Sequence, residues 1–192
     1  MVPNLYIKSQ KNPGGTVSGL PASKSVSNRV LILDALCGRK SVLTNLSDAR
    51  DTVLMTRLVG SDDTTIDVMD AGTTMRFLTA YYAISGSSRI MTGTDRMKER
   101  PIKPLVDALR TIGADIRYLG REGYPPLEIQ GFSGQKSREV TVPGNLSSQF
   151  ISALMMIGPA LPQGLVIRLD GHVGSRPYIL SLIHISEPTR RY

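Results

Sequence analysis

An α/β fold is predicted for this 192-residue chain by three observations. Helical and strand patterns alternate along it, apolar residues make up 41% against 20% charged, and one sequence unit occurs three times. That unit is a small polar turn, an apolar helix, a Gly-containing stop and a β-branched strand. Alternation of this kind packs helices against sheet, and the length suffices to bury a core. The copies are spaced too unevenly for a solenoid.

Asn4 to Lys8 reads as a short strand, and Asn12-Pro13-Gly14-Gly15 as a turn before Thr16 to Leu20. Pro21 to Arg29, PASKSVSNR, opens the first unit. From Ser27 a helix is expected with Val30, Leu31, Leu33, Ala35 and Leu36 on its apolar side; Gly38 ends it, and Ser41 to Leu46 follows as a strand. The second unit is the turn Asp70 to Thr74, the helix Met75 to Ile84, the stop Ser85 to Ser88 and the strand Arg89 to Gly93. An insertion then supplies an amphipathic helix from Ile102 to Ile112, ended by Gly113, a strand from Asp115 to Leu119 and a loop from Gly120 to Pro126. The third unit runs from Gly144-Asn145-Leu146-Ser147-Ser148-Gln149 through the helix Phe150 to Ile157, breaks at Gly158-Pro159 and resumes as the strand Leu165 to Leu169.

The formal charge of +7 suits nucleic acid, anionic lipid or small phosphorylated substrates alike. Nucleic acid is disfavoured: the basic residues are dispersed, Trp is absent, Phe occurs three times, and basic and aromatic residues do not interleave. A single cysteine, Cys37, allows no disulfide and no cysteine-built metal site, and its apolar helical run predicts a buried structural thiol. The N-terminus lacks a signal-peptide core and an Arg-rich transit pattern, and no apolar run reaches membrane-spanning length. A cytoplasmic protein without a membrane partner is expected.

In PASKSVSNR, hydroxyls, Lys24 and Arg29 gather at a helix start, where free backbone N–H groups and the helix dipole favour an anion. A capped helix with solvated Lys24 and Arg29 accounts for the same residues. The two other helix starts either converge with it on one ligand or are ordinary caps. Arg96 to Arg100 holds three cations in five residues, followed by Pro101, which suits either a solvated face or a clamp for phosphate and carboxylate. Beside Ser147-Ser148-Gln149 and PASKSVSNR, the clamp is favoured.

Six segments in register, PASKSVSNR, DAGTTMR, RMKERPI, GYPPL, NLSSQF and GSRPYI, together resemble the N-terminal half of the 5-enolpyruvylshikimate-3-phosphate synthase family over roughly Gly19 to Ile179. The resemblance implies an incomplete enolpyruvyl transferase-like domain of repeated βαβ-type units, an inside-out α/β barrel with helices inside and sheets outside. It also implies transfer of the enolpyruvyl group from phosphoenolpyruvate to shikimate 3-phosphate with release of phosphate, without metal or organic cofactor. Carried over by motif, Lys24 contacts phosphoenolpyruvate and is the candidate proton shuttle. Ser25 and Arg29 hold the shikimate carboxylate, Gly72 offers its N–H to phosphoenolpyruvate, and Arg100 clamps its anionic groups. Ser147, Ser148 and Ser175 bind the 3-phosphate, Gln149 reaches both ligands, and Tyr178 lines the shikimate pocket. In the family the acidic partners and further basic contacts lie in a C-terminal domain, the expected missing partner of this chain.

The expected division is an N-terminal strand and hinge over 1–18, the shikimate-3-phosphate-binding domain over 19–179 and a non-native tail over 180–192. LSLIHISEPTR, from Leu180, reads as a translated sequencing adapter, leaving Val173 to Ile179 without following structure. His184 then has no role, and His172 in its Gly-flanked loop is expected in solvent. Three positions depart from the family pattern. Asp70 replaces a usual Asn and adds negative charge unless Arg76 or Lys24 pairs with it. Phe77 replaces a common Pro, and the short segment from Thr52 to Met69 is expected to have lost a helix or strand. The alternatives are an enolpyruvyl transferase acting on UDP-N-acetylglucosamine, which uses a loop cysteine, a non-catalytic anion-binding fragment and a basic nucleic-acid module.

Overall fold

A computed structural model describes residues 18–174 and 176–186. The expected strand Asn4 to Lys8, its following turn and Ser175 lie outside the described residues. α1 (Lys24–Leu36) starts a turn earlier than the apolar pattern, because the Ser23 side chain accepts the Val26 N–H. Its buried side is wider than the predicted one: Leu31 is buried and Leu33, Ala35 and Leu36 pack partly buried against the core, while Ser27, Asn28, Arg29 and Ile32 also face inward, so the polar start of the helix is drawn into the core.

The expected strand over Ser41 to Leu46 is absent. Val42 is 91% exposed and Asn45 has a φ of 55°, neither compatible with a strand packed on a core. Side chains of α1 hold this loop instead: the Ser41 N–H donates to Asp34 Oδ1 at 3.0 Å and the Ser47 N–H to Ser27 Oγ at 2.9 Å. The segment from Thr52 to Met69, expected to lack an element, carries most of α2 (Arg50–Leu58) and all of β1 (Thr65–Asp67).

The second unit is built as anticipated, from α3 (Gly72–Ile84) and β2 (Arg89–Thr92). β1 and β2 pair in parallel around α3, which makes a βαβ unit. Phe77 does not disturb the path of α3. The helix is buried nearly all round, so the core forms between helices with sheet outside it. Its buried hydroxyls are satisfied: Thr79 donates to Met75 O at 2.7 Å and Tyr82 to Leu58 O at 2.6 Å.

A short α4 (Asp95–Lys98) occupies part of the cationic run and precedes the amphipathic α5 (Lys103–Ile112), which Gly113 caps in the left-handed conformation. β3 (Ala114–Tyr118) and β4 (Leu127–Phe132) complete a sheet of order β1-β2-β4-β3, with β4 antiparallel to both neighbours. β5 (Glu139–Pro143) and β6 (Val166–Asp170) pair in parallel around α6 (Ser148–Ile157), a second βαβ unit. A 3-10 turn, Gly158–Ala160, marks the expected break.

Residues after Val173 do have following structure, contrary to expectation. α7 (Arg176–Ser186) runs without a break across position 180, and its Leu182 is 2% exposed against the core. Cys37 is also corrected: it caps α1 and is exposed, because the chain turns away at Gly38 before the thiol reaches the core.

Candidate functional site

The first turns of α1, α3 and α6 meet at one cleft of about 280 Å³. Of the ten predicted residues, Lys24, Ser25, Arg29, Ser147, Ser148, Gln149 and Tyr178 line it, together with Thr73 and Phe77. The three helix starts therefore converge. Two of them are capped by serine, Ser23 on α1 and Ser147 on α6, while α3 begins at Ala71 with no side-chain cap and leaves its first N–H groups unclaimed by side chains. Gln149 Nε2 donates to Thr73 Oγ1 at 3.0 Å, which ties the start of α6 to that of α3.

Charge in the cleft is held in two ways. Lys24 Nζ lies 3.0 Å from Asp51 Oδ2 in a partly exposed pair. Thr74 donates to the Asp51 carbonyl at 3.5 Å and so links α2 to α3 at the same corner. Asp51 went unnoticed in the sequence because an acid in the first turn of a helix is an ordinary feature. Arg29 is 5% exposed and, among the described residues, is bonded to neutral oxygens: Ser181 Oγ at 3.2 Å, the Tyr178 carbonyl at 3.3 Å and Ser152 Oγ at 3.5 Å. Burial pushes its pKa below the usual arginine value, and the nearby Tyr178 opposes that shift.

Gly72 and Arg100 sit beside this cleft. Arg100, with Asp70, Arg96 and Met97, lines a second cavity of about 420 Å³, and its Nη1 donates to the Asp70 carbonyl at 3.4 Å. The guanidinium lies across Gly72: a Cβ there would come within 2.4 Å of Arg100 Nη1. A side chain at this position would push the Arg100 guanidinium off the α3 start, so glycine lets it lie there. The cationic run thus divides, with Arg96 and Arg100 on the cavity and Lys98 paired with the exposed Asp95 at 3.1 Å. The GYPPL loop supports this corner through the Ile102 N–H, which donates to the Gly123 carbonyl at 2.9 Å.

Asp70 is paired with neither expected cation. Lys24 is taken by Asp51, and Arg76 donates to the Gly72 carbonyl at 2.8 Å and the Pro101 carbonyl at 3.3 Å. His172 is exposed, in its expected place. A larger groove on α2, about 440 Å³ and mostly apolar, contains none of the predicted site residues. Among the described residues, no cluster of three or more His, Cys, Asp or Glu could hold a metal, and no helix is long and apolar enough to cross a membrane.

The family model of EPSP synthase, 3-phosphoshikimate 1-carboxyvinyltransferase, matches residues 58–187. A 3-phosphoshikimate 1-carboxyvinyltransferase of Bacteroides fragilis strain YCH46 is 53% identical over 160 residues, covering 83% of this chain and 39% of the relative. One of Escherichia coli strain SMS-3-5 is 42% identical over 191 residues, covering 86% of this chain and 44% of the relative. The fold matches a solved EPSP synthase of Acinetobacter baumannii with a TM-score of 0.68 at 20% identity, over 83% of this chain and 41% of that one. The chain thus spans about two fifths of the length of the curated relatives it matches. With the family model matched over more than half of its residues, the chain belongs to the EPSP synthase family.

Proposed function

We propose that this chain forms the shikimate 3-phosphate wall of an enolpyruvyl transferase, and that residues 19–179 make up the binding domain. The observation that carries the reading is the convergence of three helix N-termini with Lys24 and Arg29 on one hydroxyl-lined cleft. Helix starts and serines suit a phosphate, and a buried arginine without a carboxylate partner among the described residues suits a carboxylate ligand. Ser147 and Ser148, with Ser175, receive the 3-phosphate; Ser25 and Arg29 receive the shikimate carboxylate; Tyr178 closes the ring pocket. Phosphoenolpyruvate lies between Lys24, the Gly72 N–H and Arg100, with Gln149 touching both substrates.

In the proposed reaction, C3 of phosphoenolpyruvate gains a proton while the shikimate 5-hydroxyl adds to C2 and gives up its own proton. The tetrahedral adduct then loses phosphate and a proton from the methyl carbon, which leaves the enolpyruvyl ether. These steps need a positioned acid and base and stabilisation of developing charge. Lys24 is the acid–base group of this wall; the partner set comes from the remaining length of the enzyme. The site of action is the cytoplasm.

A second reading, anion binding without turnover, is favoured by the pair that ties Lys24 to Asp51 at the cleft. The UDP-N-acetylglucosamine reading loses support because Cys37 lies at the far end of α1 from the Lys24 turn. Isothermal titration with shikimate 3-phosphate tests the binding reading: saturable heat supports it, and a folded chain that gives no heat at millimolar ligand contradicts it. Release of the phosphoenolpyruvate phosphate by this chain alone, supplied with both substrates, would overturn the second reading.

A further inference from the structure

Arg76 is 6% exposed and carries its charge without a carboxylate partner among the described residues. Its Nη1 donates to the Gly72 carbonyl at 2.8 Å, its Nη2 donates to the Pro101 carbonyl at 3.3 Å, and its Nε is buried with no partner. The guanidinium carbon stands 4.8 Å from the centre of the Phe150 ring on α6. Holding a charge in such a place is expensive, and an apolar side chain of similar size would fill the volume with less penalty. Burial first, and the like charge of Arg100 second, bring the Arg76 pKa down to about 10.

The compensating feature is what its planar fork joins. Gly72 is the residue that the Arg100 guanidinium crosses, and Pro101 directly follows Arg100 in the chain. One rigid group therefore spans the two backbone segments whose separation sets where Arg100 lies over the α3 start. Its stacking on Phe150 adds the helix that begins with Ser148 and Gln149. We propose that Arg76 is a positioning residue for the phosphoenolpyruvate subsite: by bracing the Gly72 and Pro101 carbonyls it fixes Arg100 against the Gly72 backbone. This inference rests on the substrate reading given above.

The test is isothermal titration of the 192-residue chain with phosphoenolpyruvate in the presence of shikimate 3-phosphate, for the wild type, Arg76→Lys, Arg100→Lys and the double variant. Lysine keeps the charge but cannot span two carbonyls with a planar fork. Arg76→Lys is expected to bind at least about tenfold more weakly, the loss of one charge-assisted hydrogen bond. The double variant is expected within about twofold of Arg100→Lys, since the two residues act through one contact. Wild-type affinity in Arg76→Lys, or losses that simply add in the double variant, would overturn the brace while leaving the subsite reading intact. A wild-type chain that binds no phosphoenolpyruvate overturns both. If Arg76→Lys does not fold, Phe150→Leu replaces it: removing the ring is expected to weaken phosphoenolpyruvate by about threefold, and unchanged affinity contradicts the brace.

Discussion

The two cavities that border the start of α3 hold positive charge by different means. In the cleft between α1, α3 and α6, Lys24 is tied to Asp51, Arg29 is surrounded by neutral oxygens, and hydroxyls fill the rest of the wall. In the cavity beside Arg100, Arg96 and Arg100 share the lining with Asp70, whose backbone carbonyl accepts from Arg100, and a third arginine, Arg76, lies buried and bonded to the Gly72 carbonyl. The first arrangement presents many short-range donors at helix ends. The second depends on one guanidinium held over a glycine, so a small displacement there removes most of its effect. The difference predicts that the cavities respond separately to substitution.

Gly72→Ala is the largest expected break. Its Cβ would displace the Arg100 guanidinium, 2.4 Å from where that carbon must go. Titration should give at least about a tenfold loss for phosphoenolpyruvate, the scale of a lost charge-assisted contact, with shikimate 3-phosphate affected far less. Equal losses for both ligands would mean that the cavities act as one. Gln149→Ala, which cuts the Thr73 tie in the first cleft, should weaken shikimate 3-phosphate by about fivefold, the value of one ordinary hydrogen bond, and unfold at nearly the wild-type temperature. Unchanged affinity would remove the link between α6 and α3 from the account.

Asp51→Asn is a milder perturbation. The pair with Lys24 is partly exposed, so stability in denaturant should change by only about 0.2–1 kcal/mol. Anion affinity should rise, because a negative charge leaves the cleft edge; a fall would show that Asp51 orients Lys24 more than it neutralises it. The smallest effect is expected far from both cavities. Arg168 on β6 holds the Glu139 carboxyl on β5 below its ordinary value through a side-chain hydrogen bond. A lowered carboxylate pKa stabilises the fold above the unfolded value near 4.5 and loses that contribution as pH falls through the folded value. Glu139→Gln should therefore flatten the acid limb of the stability profile below that pH and leave ligand binding at neutral pH unchanged.

Much of this was legible in the chain itself, for identifiable reasons. α1, α3, α5 and α6 announce themselves by serine caps, glycine stops or, in α5, a strong amphipathic pattern, and the helix ends they define carry the site residues. Ser41 to Leu46 has strand-forming residues but no strand, because its backbone donors find Asp34 and Ser27 oxygens nearer than any sheet edge. α2 sets its buried side, Thr52, Leu54, Met55 and Leu58, among arginines and an aspartate, and its segment reads as a deletion because it is short against the family pattern. β4 and β5 alternate buried and exposed positions over only five or six residues, a faint signal beside the stronger helices. At the site, the contacts of Asp51 and Arg76 depend on segments more than twenty residues away, and no local pattern encodes them.

The convergence of three helix starts on a single ligand is the central claim. Amide resonances followed during titration of the 192-residue chain with shikimate 3-phosphate test it most directly. The expected result is that Ser25, Thr73, Ser148 and Gln149 shift together with one dissociation constant. Shifts confined to one helix start, or scattered over the basic surface without saturation, would contradict it.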